Sequence, residues 1–438
     1  MAVEEPQNKR SWLSRLLFGI YRYVPLGVYF VILAIYHVFP PARARLAERL
    51  AMRRPSDRGR PVIWFHASSM GEISTIAPVV AEIRRKREDC AVVVSTMTVS
   101  GGRRAREILN LHDVFLLPID FYPCMKRLIR GLKPATLIIG ETEIWPNMIS
   151  EARKQGVRIV LLNGRISRKS FPRYRLIRPL IKDVLSGFDL LLMRTQTDAI
   201  RITHLGADPG RVEVAGNTKY DILPGPSSPA HRKDTRRGLK IPEGQKVITL
   251  GSAREGECEI VLGALAEAGI EPPPMLVIAP RHLVMVDQIE QICRDFGRRY
   301  RTLSGGGVPE RDDAAGANVI IIAEMGRLLD MYAISDIAIV GGTYRPFGGH
   351  NPLESASQGV VTIVGPHTQN IEDDIEYLRS RECAFIAGEH DLGPLLLKIL
   401  SDDARRDRMG RDAAEAVEAM KGIAKKCVEI MARKKLLP

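Results

Sequence analysis

From residue 61 onward, short runs of β-branched and aliphatic residues alternate with longer amphipathic stretches. The runs are VIWF (62–65), AVVVST (91–96), VFLLP (114–118), TLIIG (136–140), RIVLLN (158–163), LLLM (190–193) and VEVAG (212–216). Uninterrupted apolar runs of this length predict strands buried on both faces, and the stretches between them are long enough for crossover helices. The pattern is that of a parallel, doubly wound α/β sheet. At LPGPSSPAH (223–231) it stops, and prolines among small polar residues predict a linker. Beyond the linker the alternation restarts with VITLGS (247–252), MLVIAP (275–280), VIIIAE (319–324), IAIVGG (337–342) and VVTIVG (360–365). SGGGVPERDDAAGAN (304–318) reads as a surface loop, and from about Leu392 the chain is helical and charged. The expected organisation is an N-terminal region (1–55), a first Rossmann-like domain (56–222), a linker (223–232) and a second Rossmann-like domain with terminal helices (233–438).

The N-terminal region breaks the pattern. Leu26 to Phe39 is a stretch of 14 residues without formal charge, short of the roughly 20 that a bilayer-spanning helix needs. No A-x-A-like cleavage site follows it. Tyr21, Tyr23, Tyr29 and Tyr36 suit an interface, and Arg43, Arg45, Arg49, Arg53 and Arg54 suit anionic headgroups. The segment reads as a membrane anchor or interfacial hairpin on the cytoplasmic side, with a buried core helix as the alternative.

Charge points the same way. The 438 residues hold 64 Lys and Arg against 51 Asp and Glu, a net +13, but residues 1–60 hold 11 basic and 4 acidic residues, so +7 lies at one end. A uniformly basic nucleic-acid binder is excluded by that distribution, and no nucleic-acid partner is expected. The six cysteines show no C-x-x-C pair and no zinc-ligand spacing, which argues against a disulfide framework and a structural metal.

Several strand ends carry candidate chemistry. HASSMGE (66–72) follows a strand directly, so Glu72 falls at a helix N-terminus, where the macrodipole favours the ionised carboxylate and a proton-accepting role. A capped helix with a solvated first-turn carboxylate is the bland alternative. GETEIWPN (140–147) places Glu141 and Glu143 at a sheet edge, on one face if the strand continues; Trp145 is either a platform for a sugar or lipid or a core residue. The basic run at 163–182 is interleaved with Phe171, Tyr174 and Leu176 and suits an anionic amphiphile. In the second half, Gly251 and Ser252 of GSAREGE are expected to offer donors at a helix N-terminus, as a phosphate cradle. Arg281 and His282 of APRH can meet phosphate charge or a nucleobase. In GGTYRPFGGHNPLESASQG (341–359), Gly348 and Gly349 permit close backbone approach, Asn351 and Pro352 read as N-cap and N1, and Glu354 is placed to accept from a ribose diol. The dinucleotide and P-loop fingerprints are both absent.

HASSMGE, ETEIWPN, NGRIS, GNTKYD (216–221), GSAREGE, APRH and GGHNPLE, in that order and spacing, resemble the 3-deoxy-D-manno-octulosonic acid (Kdo) transferases of lipopolysaccharide assembly, from about residue 20 to the C-terminus. The resemblance implies a GT-B fold, two Rossmann-like domains facing a central cleft, held at the cytoplasmic face of the bacterial inner membrane by an N-terminal segment. It implies inverting transfer of Kdo from CMP-β-Kdo to the lipid A precursor (lipid IVA), without cofactor or metal. Glu72 then matches the family's general base, and Glu141, Glu143 and Arg165 line the acceptor side. Gly251, Ser252, Arg281, His282, Gly348, Gly349, Asn351 and Glu354 fall on positions expected to hold CMP. The implied partners are CMP-Kdo, the lipid A precursor and the membrane surface. Departures from the family pattern, at Ser68-Ser69-Met70 and Tyr344–Phe347, remove none of these roles.

Overall fold

The computed structural model describes residues 11–38, 46–51, 59–305 and 316–438. It divides into two units, residues 1–222 with 422–438, and residues 223–421. Arg43, Arg45, Arg53 and Arg54 lie outside the described residues.

The first unit is built on seven parallel strands: β1 (Val62–His66), β2 (Ala91–Thr96), β3 (Val114–Leu116), β4 (Pro134–Gly140), β5 (Arg158–Gly164), β6 (Leu190–Met193) and β7 (Val212–Val214), in the order β3-β2-β1-β4-β5-β6-β7. Alternate residues of one strand enter opposite cores. Trp64, Leu137, Ile139 and Leu161 pack on one face, Ile63, Phe65, Ile138 and Val160 on the other. With both faces covered, every strand position must be apolar or hydrogen-bonded, which is why the strands read as unbroken runs.

The helices Trp12–Tyr23 and Leu26–Val38 belong to this unit. Phe18 and Tyr29 are buried in the first core; Tyr21 Oη donates to Asp120 Oδ2 at 2.9 Å, and Arg22 pairs with Glu151 at 2.8 Å. Together they form a stretch of 27 residues containing an 18-residue window of mean hydropathy 1.8, long and apolar enough to cross a membrane by length and composition. The sequence estimate of 14 residues was short because Arg22 interrupts the charge-free run, although its charge is met inside the protein. The opposite face is exposed and apolar, with Leu16, Ile20, Val24, Val31 and Val38 facing outward. Arg49, expected at headgroups, donates instead to the carbonyls of Leu117 (2.8 Å) and Met97 (2.6 Å).

The second unit repeats the plan with β8 (Val247–Ala253), β9 (Met275–Pro280), β10 (Tyr300–Leu303), β11 (Val319–Ile322), β12 (Ile337–Val340), β13 (Val361–Val364) and β14 (Ala384–Ile386), all parallel, in the order β10-β11-β9-β8-β12-β13-β14. Edge strands β10 and β14 were not expected from the sequence. YRTL is polar and only three residues of AFI pair, so neither shows a continuous apolar run. The anticipated linker is tied down: Ser227 donates through N and Oγ to Gln358 Oε1 (3.1 and 2.8 Å), and its last residues start the helix Pro229–Gly238.

The last helix, Ile423–Arg433, was expected with the second domain and packs with the first unit instead. Asp221 accepts from the backbone N–H groups of Ile423 (3.1 Å) and Ala424 (2.5 Å), and Cys427, Val428 and Met431 join the core beside Ile76 and Ile83. Thr136 Oγ1 donates to the Leu436 carbonyl at 2.6 Å.

Candidate active site

In the first sheet β1 and β4 are neighbours, and the chain leaves them in opposite directions. That reversal is where open α/β sheets bind ligands, and it carries both acidic motifs. The turn after β1 enters the helix Met70–Lys86 through N-cap Ser69. Ser69 and Glu72 form a Ser-x-x-Glu capping box, in which Glu72 Oε1 accepts from Ser69 Oγ at 2.9 Å and Oε2 from Ser68 N at 2.7 Å. Burial pushes the Glu72 carboxyl up to about 7, and the nearby Glu143 and Glu141 add to the rise against the pull of the Ser68 and Ser69 bonds. The expectation that the helix dipole would favour ionisation is thus outweighed by desolvation.

Glu141 does not continue the strand. β4 ends at Gly140 and the chain turns through a left-handed Glu141, φ 53°, so Glu141 and Glu143 do not share a strand face. Lys219 Nζ lies 3.1 Å from Glu141 Oε1, and Thr75 Oγ1 donates to the same oxygen at 3.4 Å. Glu143 Oε2 accepts from Trp145 Nε1 at 3.0 Å. Trp145 packs, partly buried, against the first core. Burial and the Glu143 charge raise the Tyr174 hydroxyl, which brings the basic run's aromatic to this site. Arg165 is exposed; its backbone N–H donates to Thr142 Oγ1 at 3.0 Å and the Thr142 hydroxyl donates back to its carbonyl, joining the loops after β4 and β5. Beneath the Ser68 turn lies the fully buried His66, with Nδ1 2.9 Å from Ser95 Oγ and Nε2 3.4 Å from Ser68 Oγ; burial lowers it to about 4.

The second sheet reverses direction between β8 and β12. Gly251 and Ser252 lie within β8, and the following helix, Glu257–Ala268, starts only at N-cap Gly256. The expected phosphate cradle there is filled from inside. Glu257, fully buried, accepts from the backbone N–H groups of Arg254 (2.8 Å), Gly342 (2.8 Å), Thr343 (2.9 Å) and Tyr344 (3.0 Å). Gly251 is required by packing, since a Cβ there would collide with the Tyr332 hydroxyl.

Above this staple, side chains from three loops converge. Arg254 Nε donates to His350 Nε2 at 3.2 Å, Arg254 Nη1 lies 3.1 Å from His282 Nε2, and its guanidinium sits 4.9 Å from the Phe347 ring centre. Burial lowers His350 to about 4, helped by Arg281, Arg254 and His282. Gly348 and Gly349 adopt φ of 89° and 91°, and Gly349 N donates to the Gly342 carbonyl at 2.7 Å, folding the glycine-rich loop back on itself. The short helix Leu353–Ser357 has Pro352 as its N-cap, one residue later than expected; Asn351 Oδ1 accepts from Leu353 N at 3.0 Å from just before it, while Asn351 Nδ2 donates to Glu354 Oε1 at 3.3 Å. Burial raises the Glu354 carboxyl, with Asn351 and Arg281 opposing. Of the sequence candidates, Arg281, His282, Asn351 and Glu354 gather here, while Gly251 and Ser252 remain in the strand. Among the described residues no group of three or more His, Cys, Asp or Glu side chains is placed to hold a metal ion.

Residues 44–222 match the family model of the 3-deoxy-D-manno-octulosonic acid transferases. A 3-deoxy-D-manno-octulosonic acid transferase of Bordetella pertussis is 29% identical over 90% of this chain and 92% of its own, and one of Chlamydia muridarum 27% identical over 82% and 83%. The chain belongs to the Kdo transferase family. It is therefore a glycosyltransferase of lipopolysaccharide biosynthesis. A bifunctional glycosyltransferase/methyltransferase of Fusobacterium nucleatum is 32% identical over 81% of this chain, which spans 55% of that protein. In fold the chain resembles a UDP-GlcNAc 2-epimerase of Neisseria meningitidis (TM-score 0.58, 13% identity, 85% of this chain and all of that one) and a glycosyltransferase of Rickettsia africae (TM-score 0.57, 12% identity, 86% and 99%). The architecture is GT-B.

Three residues with evident work were not singled out from the sequence. Lys219, Arg254 and Glu257 all lie inside motifs that were recognised, but their partners are 78, 96 and 85 positions away. Spacing along the chain gives no signal for contacts of that kind.

Proposed function

We propose that the chain transfers Kdo from CMP-β-Kdo to the lipid A precursor (lipid IVA) with inversion, and that Glu72 is the general base. The observation that carries the reading is Glu72 itself. It is a half-buried carboxylate at the first sheet's reversal, beside two further carboxylates, with its pKa moved to about 7. A base poised near working pH combines a useful ionised fraction with driving force for proton transfer.

In the proposed step the acceptor hydroxyl gives its proton to Glu72 as its oxygen bonds to the anomeric carbon. The bond from that carbon to the phosphate oxygen breaks, and its electron pair leaves with CMP. Glu141 and Glu143 line the acceptor side with Arg165, the exposed cation of the adjoining loop. Arg281, with His282, Asn351 and Glu354 around it, is the group expected at the CMP phosphate, where a fixed positive charge stabilises the departing anion.

The same reading accounts for the N-terminal helices. One face is built into the first unit's core and the other offers Leu16, Ile20, Val24, Val31 and Val38, a surface suited to a bilayer. We place the chain at the cytoplasmic face of the inner membrane, where an acylated acceptor resides.

The test is incubation of the full chain with lipid A precursor and a CMP-Kdo generating system, read by mass spectrometry. Acceptor mass rising by one or more Kdo units, with release of CMP, is the expected result. An unmodified acceptor would overturn the proposal.

A further inference from the structure

Arg254 is anchored by partners that leave its charge intact. A guanidinium has only donors, so His350 and His282, each meeting it through Nε2, act as acceptors there. Phe347 backs the guanidinium, adding a cation–π contact. These groups fix the plane of the fork, and none is an anion. Among the described residues Arg254 forms no ion pair, unlike Arg345 in the same loop region, whose charge is met by Glu389 at 2.9 Å. Nη2 and the second hydrogen of Nη1 have no partner among these contacts. Arg281, also without an ion pair among the described residues, is exposed and acts on His350 and Glu354 through its field.

Two arginines without an ion pair among the described residues therefore stand at one loop cluster, Arg254 held by its neighbours and Arg281 exposed. The donor of the proposed reaction carries two anionic groups. One is the phosphate joined to the anomeric carbon. The other is the acid group of an octulosonic acid, which is attached to that same carbon. The phosphate leaves during the reaction, whereas the carboxylate stays with the transferred sugar.

We infer that Arg254 binds the sugar carboxylate and leaves the phosphate to Arg281. The inference rests on the donor reading above. A planar fork held edge-on by fixed neighbours matches a planar carboxylate through two parallel N–H···O bonds. Pinning the carboxylate orients the anomeric carbon while its other substituent departs. An exposed arginine suits the group that has to leave. Arg254 is thus the residue that separates nucleotide-linked keto-acid sugars from aldose nucleotides, which lack the carboxylate.

The test compares the donor KM with the Ki of CMP, which has the phosphate and no sugar acid, for the full-length wild type, Arg254→Gln and Arg254→Lys. Arg254→Gln should raise the donor KM on the order of 10- to 100-fold, the range for lost charge-assisted hydrogen bonds, while CMP inhibits as before. Arg254→Lys, keeping charge without the fork, should fall between. Equal weakening of donor and CMP would assign Arg254 to the phosphate and overturn the inference, and so would an unchanged donor KM. A Gln variant that binds no CMP at all passes the decision to Arg254→Lys, judged by the same ratio. If the wild type transfers nothing from CMP-Kdo, the donor reading falls and takes this one with it. Normal wild-type transfer beside an indifferent Arg254→Gln sinks the inference alone.

Discussion

The turns after β1 and β8, HASSMGE and GSAREGE, end on the same Gly-Glu pair and use its glutamate in opposite ways. Both leave the central strand at a sheet reversal and both reach a Gly-Glu pair at the start of a helix. Glu72 is half-buried, receives two hydrogen bonds and sits among carboxylates, so it is kept near its own titration point. Glu257 is fully buried and receives four backbone N–H groups, which spend it on holding two loops together. The first unit then gathers acidic groups at its reversal, the second arginines and imidazoles. On the reading proposed above, one architecture hosts a proton acceptor in one unit and an anion site in the other, and the loop residues, not the fold, decide which.

The largest expected effect comes from exchanging the two glutamates' fates. Glu72→Gln should cut kcat by about 10²–10⁴-fold, the usual worth of a general base, with the thermal transition nearly unmoved. Glu257→Gln should do the reverse. An amide presents one acceptor and one donor to four N–H groups, so at least two lose their partner, at about 1–3 kcal/mol each. The second unit should then unfold at markedly lower denaturant, with activity in the surviving folded fraction changed far less than for Glu72→Gln. Matching profiles for the two variants in rate and denaturation assays would erase the distinction.

A second effect, about tenfold per pH unit, sharpens it. A base must be ionised to accept a proton, so kcat/KM should rise with pH up to about 7 and level off above, following Glu72. The limb should vanish in Glu72→Gln. Lys219→Met, which removes the cation beside Glu141, should move the limb to higher pH, because Glu141 would then bear on Glu72 without compensation. A limb that stays in place in Lys219→Met would mean that the acidic cluster does not set the Glu72 pKa.

Which parts were legible in the sequence follows from how each is stabilised. Strands buried on both faces, such as VIWF and TLIIG, must be apolar throughout and announce themselves; YRTL at β10 and AFI at β14 lie at edges and do not. The Glu72 and Glu141 positions could be located because strand ends are legible. The functions of their neighbours could not, because Lys219 reaches Glu141 from 78 residues away and Arg254 finds His350 from 96. The last helix shows the same limit. Its amphipathic pattern predicts a helix, yet its unit is decided by Asp221, some 200 residues earlier, capping Ile423 and Ala424. Even the turn chemistry misled where desolvation mattered: a helix N-terminus favours a charged Glu72, and burial reverses the sign.

The N-terminal helices mark a further difference between the units: among the described residues, the first unit alone carries such an apolar pair built into its core. Asp120 joins that pair to the site region. It accepts from Tyr21 Oη (2.9 Å) and from the backbone N–H groups of Asn147 (3.0 Å) and Met148 (2.8 Å), at the start of the helix that follows Glu143 and Trp145. Burial raises its carboxyl to about 7, against the pull of those three bonds. A group whose folded pKa lies above its unfolded value adds stability below the unfolded pKa and loses it as pH rises through the folded one. The first unit should therefore become less stable between about 4 and 7 through this residue. Tyr21→Phe removes one of the three bonds that limit the loss, so its cost, about 1–2 kcal/mol, should be largest above pH 7 and shrink in acid. Denaturation curves for wild type and Tyr21→Phe at pH 5 and pH 8 measure this directly. A difference that is the same at both values would mean that Tyr21 merely fills space, and that packing and the Arg22–Glu151 pair couple the apolar helices to the first unit.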